Sequence, residues 1–257
     1  MNTTRRQFLK SSAMVGVVSV LPFTARAAGH APNEIMTKGG LVIVHPVSHA
    51  SVVLETPAGV IYADPVGDPV LYSGLPPADL VLVTHHHGDH LNIDTLTAVS
   101  GSAPIITNPE VRAKLNGDLA ARAVTLANGD TVGHNTATIA AIPAYNYSEG
   151  RTDFHPLGRD NGYVITLGEG RVYVSGDTED TPEMRALQGI DLAFVSMNMP
   201  FTMDINQAAS ALAEFRPKYV YPYHYRGREG GTQDPKVLAA LVGDATTVKL
   251  HNWYGTF

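Results

Sequence analysis

Residues 83–91 read VTHHHGDHL, which sets four histidines and an aspartate within six consecutive positions of a chain that has 11 histidines in all. Protonated imidazoles at this density repel one another, so neutral rings gathered around a cation are the simplest reading. His85 and His87, two apart in extended backbone, share a face and can bind one ion, and His86 between them points away. Asp89 and His90 come round the turn at Gly88 and can bind a second ion. The chain has no cysteine. Disulfides and thiolate ligands are therefore excluded, and any metal must be held by nitrogen and oxygen.

Such a loop is half a site, because each ion still needs ligands from elsewhere. Three candidates stand at strand ends or in a long connection: Asp177 in SGDT, His224 in YPYHY and His155 in DFHPLG. Two ions about 3.5–4 Å apart can hold a bridging hydroxide and polarise the bond it attacks. His49 and Asp64 are expected to brace the site from outside the ligand set. His30, His134 and His251 have no constellation around them and read as surface residues. The aromatic group of Tyr145, Tyr147, Phe154, Tyr221, Tyr223 and Tyr225 reads as core in preference to cleft lining.

The elements that must position these residues can be traced in the hydropathy pattern. LVIVHPVSHASVVLET and GVIYADPV read as strands joined by a turn at Pro57–Gly59, after a polar lead-in. DLVLVTH is a continuous apolar run, as expected of a strand buried on both faces, and it ends in the histidine loop. NIDTLTAVS and PEVRAKLN read as helices around the strand PIITN. TATIAAIPA, then GYVITLGEGRVYVSGDT as a hairpin, then IDLAFVSM and KYVYPYH continue the strands. DINQAASALAEF is a helix with Asp204 and Gln207 placed to cap its start. A run of strands followed by strand–helix alternation occurs twice. That order suggests a mixed α/β chain with two sheets inside and helices outside, a four-layer αββα sandwich.

THHHGDHL, YVSGDTED and YVYPYHY together resemble the metallo-β-lactamase superfamily. The surrounding SHASVVLET, IYADPV, IPAYN, FHPLG and FTMDINQAA are similar to one branch of it, which holds ascorbate-6-phosphate lactonase-like proteins and phospholipase D-like hydrolases of N-acyl-phosphatidylethanolamine. The likeness covers about residues 40–225. It implies that Asp177 bridges two ions, that His224 completes the second ion's shell, and that Asp89 both binds metal and orients the hydroxide. The branch commonly has a histidine near Asn146. Asparagine is a poor ligand for transition metals, which leaves His155 to complete the first site or leaves that site weakened.

The first residues belong to a different part of the chain. TTRRQFLK places Arg5 and Arg6 ahead of an uncharged stretch and then ARA at Ala25–Ala27, the order of a secretory signal. The RR-x-F-L-K wording resembles the twin-arginine type, so residues 1–27 are expected to be a cleaved signal read by the twin-arginine export machinery. Residues 28–257 would then be the hydrolase domain, located in the periplasm or otherwise outside the inner membrane. The whole chain carries a formal charge of −6. Loss of Arg5, Arg6, Lys10 and Arg26 from its 18 basic residues leaves 14 against 24 acids, or −10. An acidic protein of this kind disfavours nucleic acid as a partner.

The expected activity is an exported hydrolase with two divalent ions, zinc above all with Mn2+ or Fe2+ also compatible. It would cleave an ester, lactone or phosphodiester bond in a small-molecule or lipid-like substrate. β-Lactam hydrolysis is an alternative, although the usual members lack the aspartate that Asp177 would supply. A di-iron redox protein is another, although that type carries a carboxylate where this chain has His87. A non-catalytic metal-binding protein is the third.

Overall fold

The computed structural model describes residues 33–228 and 231–254. The expected export signal and His30 lie outside them. The first half of the chain comprises β1 (Asn33–Thr37), β2 (Gly40–Ser48), β3 (Ser51–Thr56), β4 (Gly59–Ala63), β5 (Leu80–Leu82), α1 (Ile93–Val99), β6 (Ile105–Thr107), α2 (Pro109–Lys114), α3 (Gly117–Ala121) and β7 (Ala123–Thr125). The second comprises β8 (Thr131–His134), β9 (Ala137–Ala144), β10 (Asp160–Leu167), β11 (Gly170–Val174), α4 (Pro182–Arg185), β12 (Leu192–Ser196), α5 (Ile205–Phe215), β13 (Tyr219–Tyr223), α6 (Pro235–Val242) and β14 (Thr247–Val248).

Each half builds one seven-stranded sheet, in spatial orders β1 to β7 and β14 to β8. Both follow the same plan. Four strands pair antiparallel, and the last three then join in parallel through helical or looped crossovers. The expected polar lead-in is in fact β1, because Ile35 is buried between the sheets while Met36 faces outward.

Strand alternation explains the layers. On β5, Leu80 and Leu82 pack between the two sheets, whereas Val81, and Val83 just past the strand, face the helices α1 to α3. On β12, Leu192 and Phe194 face the inter-sheet core, while Ala193 and Val195 meet Met184, Ala208 and Leu212 of α4 and α5. The result is the four-layer αββα sandwich, with apolar contact on both faces of each sheet. Helix α5 starts at a capping box in which Asp204 Oδ1 accepts from the Gln207 backbone and Gln207 Oε1 accepts from the Asp204 N–H. Tyr221 and Tyr223 belong to this core, as expected.

The parallel strands decide where chemistry can occur. Side chains beyond their carboxyl ends project into one crevice, as in other open α/β sheets. Asp64 follows β4, the histidine loop follows β5, Asp177 follows β11 and His224 follows β13. Among the described residues, no helix is long and apolar enough to cross a membrane.

Candidate metal centre

The two sheets bring the separated motifs together around one carboxylate. Asp177 Oδ1 lies 3.3 Å from His90 Nε2, and its Oδ2 lies 3.5 Å from His224 Nε2, 3.6 Å from His155 Nε2 and 4.0 Å from His85 Nε2. Gly176 makes this approach possible. Its φ is +61°, and a Cβ there would meet Thr84 Cβ at 2.9 Å and the Asn161 carbonyl at 3.0 Å. The glycine thus lets the SGDT turn press against the strand end that carries the histidine loop.

The ring nitrogens facing away from Asp177 are fixed by buried acceptors. Asp64 is fully buried, and its Oδ2 accepts from His90 Nδ1 at 2.8 Å and from Thr84 Oγ1 at 2.7 Å. Since the Thr84 hydroxyl proton goes to Asp64, its oxygen is left to accept from His85 Nδ1 at 3.0 Å. Asn146 Nδ2 donates to the Phe201 carbonyl at 2.9 Å, so its Oδ1 faces and accepts from His155 Nδ1 at 2.6 Å. In all three rings Nδ1 carries a proton held by a buried acceptor, which leaves Nε2 as the nitrogen that faces Asp177. Hydrogen bonds of this type orient metal-binding imidazoles and raise their basicity.

The inner faces are left unsatisfied. Nε2 of His85, His90 and His155 and Oδ1 of Asp177 are buried and make no hydrogen bond. Buried polar atoms are otherwise almost always paired, so this set calls for a cation. Four overlapping groups have donors close enough to hold one: His85, His87 and His155; His90, Asp177 and His224; His85, Asp89 and His90; and His49, Asp89 and His224. Every donor is imidazole or carboxylate, which suits a borderline divalent ion.

Electrostatics prepare the donors. Burial, with His90 next, holds the His85 ring well below the ordinary imidazole value. Burial also lowers His155 to about 4 despite the Asp177 carboxylate beside it. Both rings therefore offer lone pairs at neutral pH. Burial opposes a charge on His90 too, but the Asp177 and Asp64 carboxylates on either side raise it well above the ordinary value. Burial would raise both site aspartates. The His224 and His90 rings nevertheless hold Asp177 far below the usual carboxylate range, and hydrogen bonds from His224 and His49 do the same for Asp89.

Every residue singled out in the sequence as a ligand lies in this cluster, and His86 lies in none of the four groups. His87→Ala is expected to lower bound metal while His86→Ala leaves it near the wild-type amount. Elemental analysis of the two purified variants decides, and equal losses would refute the alternation of the loop.

Asp64 and His49 touch the site as braces. His49 Nε2 lies 3.2 Å from Asp89 Oδ2 and its Nδ1 lies 3.0 Å from Tyr254 Oη. His49, Asp64 and His224 all have φ between 45° and 53°. Such left-handed backbone in residues with side chains is costly and clusters where function holds it in place.

Thr84 and Asn146 carry roles the sequence did not disclose. From sequence, Asn146→Ala is expected to cost mainly activity. The hydrogen bond to His155 Nδ1 shifts that expectation to metal affinity, with a loss of about 10- to 100-fold for a lost outer partner. His155→Ala, which removes a donor outright, should lose more. Metal titrations of both variants test this, and a wild-type affinity in Asn146→Ala would overturn it. Of the aromatic group, Phe154 lines the cavity above the site, whereas Tyr145 and Tyr147 bond to Glu183 and Asp180 at a separate depression.

A sandwich of two such sheets with a histidine–aspartate centre between their strand ends is the arrangement of the metallo-β-lactamase fold. The model of the beta-lactamase superfamily domain matches residues 57–225. A UPF0173 metal-dependent hydrolase of Anaeromyxobacter dehalogenans is 31% identical over 220 residues, covering 77% of this chain and 80% of that protein. Another from Thermus thermophilus is 32% identical over 207 residues, covering 77% and 90%. Among solved structures, a protein of Parabacteroides distasonis assigned as a metal-dependent hydrolase superposes with a TM-score of 0.76 at 38% identity, covering 85% of this chain and 97% of that one. The chain belongs to the beta-lactamase superfamily, and within it to the metal-dependent hydrolases.

Proposed function

We propose that this hydrolase works with two divalent ions, zinc by preference, and cleaves an ester, lactone or phosphodiester bond in a small-molecule or lipid-like substrate. The observation that carries this is the ring of four imidazole nitrogens around Asp177, with three of the rings fixed at Nδ1. His85, His87 and His155 would hold one ion and His90, Asp89 and His224 the other, with Asp177 between them. When bound, such ions supply a deprotonated water nucleophile at neutral pH and polarise the bond under attack.

The remaining work belongs to side chains of this chain. Asp89 is 49% exposed and opens to the cavity, where its carboxylate can orient the attacking water. His49 and His224 hold that carboxylate from behind through its Oδ2. Tyr254 in turn holds the His49 ring from its Nδ1 side. Metal analysis of purified protein, followed by a screen of phosphodiesters, lactones, esters and β-lactams, tests the proposal. Two ions per chain and turnover of one of the first three classes are expected. A single ion, or turnover of β-lactams alone, would refute it.

We further propose export through the twin-arginine route, on the paired Arg5 and Arg6 and the small-residue stretch at Ala25–Ala27. Replacing both arginines by lysine should retain the protein in the cytoplasm. Mature protein still found outside the inner membrane in a fractionation experiment would reject this route.

A further inference from the structure

Glu179 stands two residues past Asp177 in SGDTED and is fully buried, but it belongs to none of the four donor groups of the metal centre. A buried carboxylate is rare and needs partners. Its side-chain partners among the described residues all come from one short stretch that follows β9. Oε2 accepts from the Tyr147 N–H at 3.0 Å, the Ser148 N–H at 2.9 Å and the Ser148 hydroxyl at 3.0 Å. Oε1 accepts from Asn146 Nδ2 at 3.4 Å and forms an ion pair with Arg151. Every partner is a donor, so both oxygens are committed to this stretch.

The stretch begins the arm that carries His155. Its start is tied to the Asp177 turn through the backbone as well. The Tyr145 N–H donates to Thr178 Oγ1 at 3.0 Å, and the Glu179 N–H donates to the Tyr145 carbonyl at 2.9 Å. Its end returns to Asn146, whose N–H donates to the His155 carbonyl at 2.8 Å and whose Oδ1 holds His155 Nδ1. Asn146 therefore touches Glu179 on one side and the imidazole on the other. Arg151 fastens the middle of the arm: Nη1 donates to the Thr202 carbonyl at 2.9 Å, and Nη2 donates to Ser148 Oγ at 2.9 Å. No helix or strand lies between β9 and β10, so these contacts hold the arm where a backbone ladder would hold it elsewhere.

A buried ion pair contributes little net stability, since both charges give up their water, and its lasting effect is a fixed geometry. We infer that Glu179 is a positioning residue for the metal ligand His155: with Arg151 it fixes the arm through Asn146, and so sets where that imidazole meets an ion. The inference rests on the reading of His155 as a ligand, and not on the number of ions or the bond cleaved.

The test is a double-mutant cycle on full-length protein, with zinc affinity measured by competition against a chelating dye. Glu179→Gln keeps the size of the side chain but turns one oxygen into a donor that faces donors. It should weaken the zinc binding that depends on His155 by about tenfold or more, the scale of a lost outer partner. In a His155→Ala background the same change should have less than about a twofold effect, because the group it positions is gone. Glu179→Asp should recover part of the loss. A role in folding alone would cost the same in both backgrounds. Hydrogen exchange of the metal-free protein gives a second reading: Glu179→Gln should lose protection over residues 145–159 while the flanking strands keep theirs. Glu179→Gln leaves the Arg151 charge unpaired, so the variant that also carries Arg151→Gln is measured beside it and should show the same pattern if the single variant does not fold.

Equal losses in the two backgrounds overturn the inference. So do unchanged protection over 145–159, wild-type zinc affinity in a folded Glu179→Gln variant, and wild-type affinity in His155→Ala. If wild type takes up two ions and cleaves an ester, lactone or phosphodiester while the losses add, the proposed function stands and the positioning role falls. If it takes up one ion, or cleaves none of these bonds, while the losses do not add, the positioning role stands and that function falls.

Discussion

Asp177→Asn is expected to reduce turnover by about a thousandfold or more and to lower the bound metal, the largest effect of any single substitution in this protein. Asparagine keeps the size of the side chain, so the SGDT turn against Thr84 should survive. What changes is the charge and one of the two oxygens. The carboxylate lies within 4.0 Å of four imidazole nitrogens, and an amide N–H2 in its place would point two protons at positions that need lone pairs. Elemental analysis beside kcat on any substrate found in the screen gives the answer. Wild-type metal content with wild-type turnover would remove Asp177 from the centre of the site.

Chelation should unfold the protein more readily as well as silence it. Without a cation the buried Nε2 atoms of His85, His90 and His155 have no partner, whereas a bound ion stabilises only the folded arrangement. An ion present at a thousand times its dissociation constant contributes about 4 kcal/mol. For a chain of this size each kcal/mol moves the melting temperature by about 2–4 °C, so chelation should lower it by roughly 8–16 °C. Restoring zinc should restore the melt. A melting temperature indifferent to both treatments would mean that the cluster does not hold an ion in the folded state.

The sequence disclosed the ligands better than it disclosed what aims them. VTHHHGDHL announces itself because donors crowd within one loop, and Asp177 and His224 stand at the ends of apolar runs where a sheet delivers side chains to a crevice. Asn146 looked like a defective ligand because its partner, the Nδ1 of His155, depends on a fold that packs a nine-residue excursion back on itself. Thr84 was hidden in plain view beside His85, since a threonine at a strand end has many ordinary uses. The strand β1 escaped because a short edge strand with one buried apolar side chain has little pattern to show.

The repeated plan of the two sheets has a consequence for how the molecule comes together. The first half supplies His85, His87, Asp89 and His90, and the second supplies His155, Asp177 and His224. Both proposed ion positions, that of His85, His87 and His155 and that of Asp89, His90 and His224, draw on both halves, with Asp177 reaching across the seam. Neither half by itself gathers that donor set, so tight capture of metal must await their docking. Metal bound there would rivet the junction, and the amount retained would gauge how much of the population has closed it.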